Sequence, residues 1–191
     1  GMYASNGEIY NTTAGKINST GDNSIGIYAT NGTKVDTAVG TEINIGKNGV
    51  GIYAEGWKQG TAQPFGNGEL DIKNSGLIKS GTGTGAIGVY LNNNSGVAPA
   101  NSNLDLSTGT IDVSLSDGGI GVYTDKGTVT DAASTITVGK NGIGLYAKDS
   151  NVNLTGFNLN LYGNNALGFY LDGTTNFAGT GNVNVDGQNI A

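Results

Sequence analysis

One phrase is written repeatedly along this chain: SIGIYATNGT, NGVGIYAEG, GAIGVYLNN, GGIGVYTDK and NGIGLYAKDS all carry a glycine, an apolar residue and a tyrosine in the same order. Its tyrosines fall at Tyr3, Tyr28, Tyr53, Tyr90, Tyr123, Tyr146 and Tyr170, so that successive intervals are 25, 25, 37, 33, 23 and 24. Self-similarity at such a period is the signature of a stacked repeat architecture.

Within the phrase Ile143, Leu145 and Ala147 alternate with Gly144 and Tyr146, the period of two expected when one face of a strand is buried. Two further apolar pulses follow each tyrosine. The first comes six or seven positions on (Ile9, Val35, Val129, Val152, Phe177) and the second at about twice that distance (Ile17, Ile43 and Ile45, Ile136 and Val138, Leu159 and Leu161, Val183 and Val185). Between them lie Gly, Asn, Asp, Ser and Thr, which turn corners readily. No 3.6-residue pattern is long enough for a helix. The expectation is an all-β, right-handed parallel β-helix, a solenoid of about seven coils of 23 to 25 residues with three short strands per coil. Stacked at about 4.8 Å, seven coils make a rod about 30 Å long.

Composition agrees with a narrow, repetitive core: 35 of 191 residues are glycine and only 36% are apolar. All nine basic residues are lysines, and histidine and cysteine are missing. With a net charge of -6 and no arginine, the chain offers no footprint for nucleic acid. Without cysteine there are no disulfides or thiolate metal sites. No apolar run approaches the length of a spanning helix, so membrane insertion by this segment is not expected.

Asn31, Asn48, Asn74, Asn141, Asn164 and Asn165 fall at expected corners, where stacked amides could hydrogen-bond between coils as ladders. The phrase's glycine is placed where the chain bends or backbones approach closely. The chain starts inside the phrase, at Gly1-Met2-Tyr3-Ala4, and stops at Gln188-Asn189-Ile190-Ala191, just short of where another tyrosine would fall. Neither end carries an atypical polar cap, so residues 1–191 read as a single β-helix segment of a longer array.

The sequences SIGIYATNGT, NGVGIYAEG, GGIGVYTDKGT and NGIGLYAKDS resemble the Gly-apolar-Tyr-Ala repeats in the passenger regions of very large autotransporter adhesins, especially the fusobacterial outer-membrane kind. The resemblance covers most of the chain. It implies an extended rod displayed at the cell surface, anchored in the outer membrane by a separate β-barrel. It also implies attachment to other bacteria or to host cells as a virulence function, the partner being a cell-surface protein or glycan. The family carries no compact catalytic motif onto these positions and implies no cofactor.

The two long intervals are consecutive. Leu70 and Ile72 follow Tyr53, and Leu104 and Leu106 follow Tyr90, at twice or more the distance of the first pulse elsewhere. Both excesses therefore fall at the corner after the tyrosine strand, as loop insertions near 55–68 and 91–103 that emerge side by side. The first, EGWKQGTAQPFGNGE, holds Trp57, Pro64 and Phe65; the second, LNNNSGVAPANSN, holds Pro99. These are candidate binding residues, since insertions on one face of a solenoid often carry its contacts. The competing reading is that Trp57 and Phe65 fold back to pin their loop to the rod.

Tyr53, Tyr90 and Tyr123 are candidates too, in an outward stripe that could receive sugar rings or a protein surface. The same stripe also fits a cross-strand stack that stabilises the coil. Glu69 and Asp71, Asp112 and Asp117, and Asp125 and Asp131 could hold calcium. The glycine-rich nonapeptide of calcium-binding rolls is missing, however, which favours solvated corner charges and no metal site. A polysaccharide-degrading enzyme would need a carboxylate pair roughly 5 to 10 Å apart. No carboxylates converge in sequence and a triad lacks its histidine, so the chain reads as a non-enzyme with no catalytic residue, the enzyme and a pure spacer remaining as alternatives.

Overall fold

The computed structural model describes residues 1–11, 13–57, 68–93, 102–188 and 191. Among them there are strands and turns and no helix. The tyrosine strands, Met2–Ser5, Ile25–Thr30, Val50–Glu55, Ile87–Asn92, Ile120–Asp125, Ile143–Lys148 and Leu167–Asp172, form one sheet in that order. Every neighbouring pair is parallel, and each tyrosine lies opposite the next. The chain is a parallel β solenoid.

The two other pulses make two further columns. Ile9, Val35, Ile72, Leu104, Val129, Val152 and Phe177 stack in one. Ile17, Ile43, Ile78, Ile111, Ile136, Leu159 and Val183 stack in the other. The pulses at Leu70 and Ile72 and at Leu104 and Leu106 enter this column as their spacing suggested, but the member opposite Val35 is Ile72 rather than Leu70, whereas Leu104 opens its own pulse opposite Val129. In the last two rungs the corner between the columns straightens. Single strands Asn151–Leu161 and Asn176–Val185 serve both columns, with a register shift between Thr155 and Phe157 around Gly156, whose φ is +77°.

Ile27, Ile52, Val89, Val122 and Leu145 point inward with Ala29, Ala54, Leu91, Thr124 and Ala147 and meet the other columns in a continuous core. Full burial of each large side chain stabilises by about 1.5–3 kcal/mol. The simple alternation fails at the glycine. Gly26, Gly51, Gly88, Gly121 and Gly144 are buried, while the preceding residues Ile25, Val50, Ile87, Ile120 and Ile143 are only half-buried. The ladder pairs the residues on either side and skips the glycine. The strand thus bends there, turning glycine and the following apolar residue toward the same core. A β-carbon on Gly121 would lie 2.5 Å from the Gly144 carbonyl oxygen and 2.5 Å from Ile136 Cγ2. The third-column side chains, Ile43, Ile78, Ile111, Ile136 and Leu159, fill the space that a side chain would need.

Charges alternate in sign up the columns. Lys34 lies between Glu8 and Asp71, Lys73 between Asp36 and Asp105, and Lys148 between Asp125 and Asp172. Glu42 pairs with Lys79 at 2.6 Å and Lys16 at 2.9 Å, and these hydrogen bonds pull its carboxyl down to about 2. At rung spacing, like charges directly opposite would destabilise.

Gly121→Ala is expected to lose about 1–3 kcal/mol through overpacking. A β-carbon on Gly21 meets nothing within 4 Å, so Gly21→Ala should leave stability unchanged or slightly raised. Urea unfolding followed by circular dichroism checks this, and equal midpoints for the two variants would contradict the packing role of the glycine column.

Candidate functional site

Because each tyrosine sits on the next rung's tyrosine, the rings form an unbroken ladder. From Tyr53 through Tyr90, Tyr123 and Tyr146 to Tyr170 the centroids are 4.8, 4.7, 4.9 and 4.7 Å apart with planes within 24°. Such contacts contribute about 0.5–1.5 kcal/mol each beyond area burial. Stacking also uses up the ring faces. A sugar that packs flat needs a free face, whereas Tyr53, Tyr90 and Tyr123 present edges and hydroxyls to the surface.

The stack turns at its lower end: Tyr28 meets Tyr53 at 75° and Tyr3 meets Tyr28 at 48°. Glu55 occupies this point, accepting hydrogen bonds from the hydroxyls of Tyr28 and Tyr53, both at 2.9 Å. Burial, and then the Glu55 carboxylate, push the Tyr28 phenol up to about 12 and Tyr53 higher. Further up, Asn92 donates to the Tyr90 hydroxyl at 3.3 Å and Tyr146 donates to Asp172 at 3.4 Å. The residue two after each tyrosine therefore builds a polar row beside the aromatic one.

That row leads into the corner from which both insertions leave. The tyrosine strand ending at Glu55 and the next column's strand starting at Asp71 flank the first. The strands ending at Asn92 and starting at Asn103 flank the second. The flanking strands are direct neighbours in both columns. The insertions are rooted one rung apart on one edge of the rod. Trp57, half-buried, stands at the root of the first. Pro64, Phe65 and Pro99 lie outside the described residues.

The acidic pairs are occupied locally. Asp112 accepts from the Ser114 amide at 3.0 Å and hydroxyl at 2.6 Å, and Asp131 accepts from the Ser134 hydroxyl at 2.7 Å. Asp117 binds Lys140 at 2.8 Å and Asn141 at 2.6 Å, contacts that hold its carboxyl below the usual range. Asp125 faces Lys148 at 3.8 Å. Glu69 is half-buried beside exposed Asp71. Among the described residues no three acidic groups gather as a metal site, and no helix is long and apolar enough to cross a membrane.

Asparagine ladders occur, partly where expected. Asn165 donates to Asn141 at 3.1 Å and Asn48 to Asn23 at 3.4 Å. Asn23, Asn48, Asn141 and Asn165 all hold the left-handed conformation, with φ of 51° to 61°, which asparagine tolerates better than most residues. Asn74 instead is buried and accepts from Thr37 at 2.8 Å. Further ladders lie on strands, Asn18 with Asn44 and Asn158 with Asn182, and strand alternation alone could have found these. A buried hydroxyl column was not foreseen: the Leu70 amide donates to Ser102 Oγ and Gly127 to Ser150 Oγ, both at 3.1 Å. Serine reads as a generic corner residue until the rungs are superposed.

Comparison with protein-family models, curated proteins and solved structures returns no match.

The raised phenol values carry a sign. Folding disfavours the phenolate, so this stabilisation is complete below pH 10 and is lost as the pH rises through about 12. Glu55→Ala should move Tyr28 ionisation from about 12 toward the ordinary tyrosine range, read from tyrosinate ultraviolet absorbance. A titration curve identical to the parent's would remove Glu55 from this role.

Proposed function

We propose that this chain is a rod-like passenger segment of an autotransporter adhesin, displayed at the cell surface. The solenoid acts as the stalk, and the paired insertions contact a protein or glycan on another bacterium or a host cell. The observation that carries this reading is that both insertions are rooted on neighbouring rungs, at one corner. Elsewhere the rungs run at nearly constant length and repeat the same side chains, whereas recognition needs a surface unlike its surroundings. Trp57 at the root of the first insertion is an aromatic anchor of the kind enriched at binding hot spots. The resemblance of the Gly-apolar-Tyr-Ala repeats to adhesin passengers supplies the setting.

The tyrosine stripe serves the rod more than the partner, because its ring faces are engaged with one another. Asp112, Asp117 and Asp131 each support a turn or a rung-to-rung contact, which suits a scaffold better than a hydrolytic pair.

Replacing residues 56–67 by a short Gly-Asn turn tests the reading. The parent should bind cells in a panel of bacterial and host surfaces, and the trimmed rod should keep its β-rich circular dichroism but lose binding. Equal binding would place the contact elsewhere; release of reducing ends from a polysaccharide would favour an enzyme; no binding by the parent would leave a spacer.

A further inference from the structure

The tyrosine ladder joins oxidisable rings at van der Waals range along one face of the rod. From Tyr53 through Tyr90 and Tyr123 to Tyr146 the planes stay within 24° and the centroids lie 4.8, 4.7 and 4.9 Å apart, so each π system overlaps the next. All four residues are half-buried. A ring that has lost an electron can refill it from the ring stacked against it, and the vacancy then moves by one rung. Phenols add a condition. An oxidised phenol is a strong acid, so the vacancy settles where the hydroxyl proton has an acceptor.

Among the described residues, Glu55 supplies that acceptor at the closest range. One of its oxygens accepts from Tyr53 and the other from Tyr28, both at 2.9 Å, inside the reach of about 2.6–3.2 Å that proton transfer needs. Higher in the ladder the geometry is poorer. The Tyr90 hydroxyl receives its bond from Asn92, at 3.3 Å, and Tyr146 lies 3.4 Å from Asp172. The stacking changes at the same rung, where Tyr28 meets Tyr53 at 75°. Burial and Glu55 also keep the Tyr28 and Tyr53 phenols protonated beyond the ordinary tyrosine range, so the proton leaves with the electron and not before it.

We infer that the ladder is a one-electron relay: an oxidising equivalent delivered to Tyr146 or Tyr123 by an outer-sphere one-electron oxidant passes from ring to ring to Tyr53 and Tyr28, where Glu55 takes the proton. The attacked ring gives one electron to the oxidant, and each intermediate ring gives one and receives one. Tyr53 or Tyr28 is left as a neutral phenoxyl radical, and the Glu55 carboxylate becomes a carboxylic acid. Oxidation along this face is thereby gathered at one rung, away from the residue attacked. The relay goes beyond the adhesive reading and does not depend on it.

The chain has no cysteine, so Lys148→Cys, at an exposed position two residues after Tyr146, can carry a tethered ruthenium polypyridyl complex. A light flash with a cobalt(III) ammine as electron acceptor turns that complex into the oxidant, and a nitroso spin trap followed by peptide mass spectrometry locates the radical. Most of it should be found on Tyr53 and Tyr28. Tyr123→Phe keeps a ring in the stack without a phenol and should remove most of the radical from both positions. Glu55→Gln should leave it spread over the ladder, with circular dichroism checking that each variant stays β-rich. Radical held chiefly on Tyr146, shared equally with Tyr10 and Tyr162 off the ladder, collected on Trp57, or reaching Tyr53 undiminished in Tyr123→Phe would each overturn the inference.

Discussion

The backbone hydrogen bonds of this protein run between rungs. A strand's amides and carbonyls find partners only in the strands above and below, so each rung must sit about 4.8 Å from its neighbours, in register. Every side chain then stands on the equivalent side chain of the next rung. Side chains that stack favourably on their own kind are retained: tyrosine on tyrosine, asparagine on asparagine, isoleucine on isoleucine. Lysine and carboxylate cannot stack on themselves at that distance. The alternation Glu8, Lys34, Asp71 and the group Lys16, Glu42, Lys79 follow from the same rule.

The corners obey the constraint differently. At a corner the backbone must change direction without losing its bond to the next rung. The left-handed residues Asn23, Asn48 and Asn141 do this, each donating its amide to a carbonyl of the following rung, at 2.8, 2.7 and 2.9 Å. The side chain of Asn48 then bonds to that of Asn23, and Asn165 to Asn141, so the residue that turns the chain also links the coils. Buried Ser102 and Ser150 do similar work inside the rod, where an amide without a partner would cost about 1–3 kcal/mol.

The columns were legible in the sequence because spacing alone determines them. The Tyr53-to-Tyr90 excess could be assigned to one corner since Leu70 and Ile72 still mark the next strand. The inward turn of Gly121 was not legible: a period of two assigns it to the outer face with Tyr123, and only the position of Ile136 across the core shows why no side chain fits. The merging of two columns in Asn151–Leu161 escaped for a related reason. Asp131 and Ser134 build a corner in one rung that Thr155 and Gly156 do not rebuild in the next, yet both stretches read as small polar residues. Of the candidate site, the shared root of the insertions was readable, while the engagement of the tyrosine faces was not, since ring orientation depends on contacts such as Glu55 with Tyr28 and Tyr53.

A rod built under this rule can carry little recognition in its columns. Any change that makes one rung distinctive must also satisfy the rungs above and below, so columns drift toward uniformity. What leaves the column is released from that constraint. The segment between Glu55 and Asp71 holds the chain's only tryptophan and one of its two prolines. The segment between Asn92 and Asn103 holds the other proline. Distinctiveness accumulates at the insertions because stacking specifies a side chain only as far as there is a rung beside it to stack on.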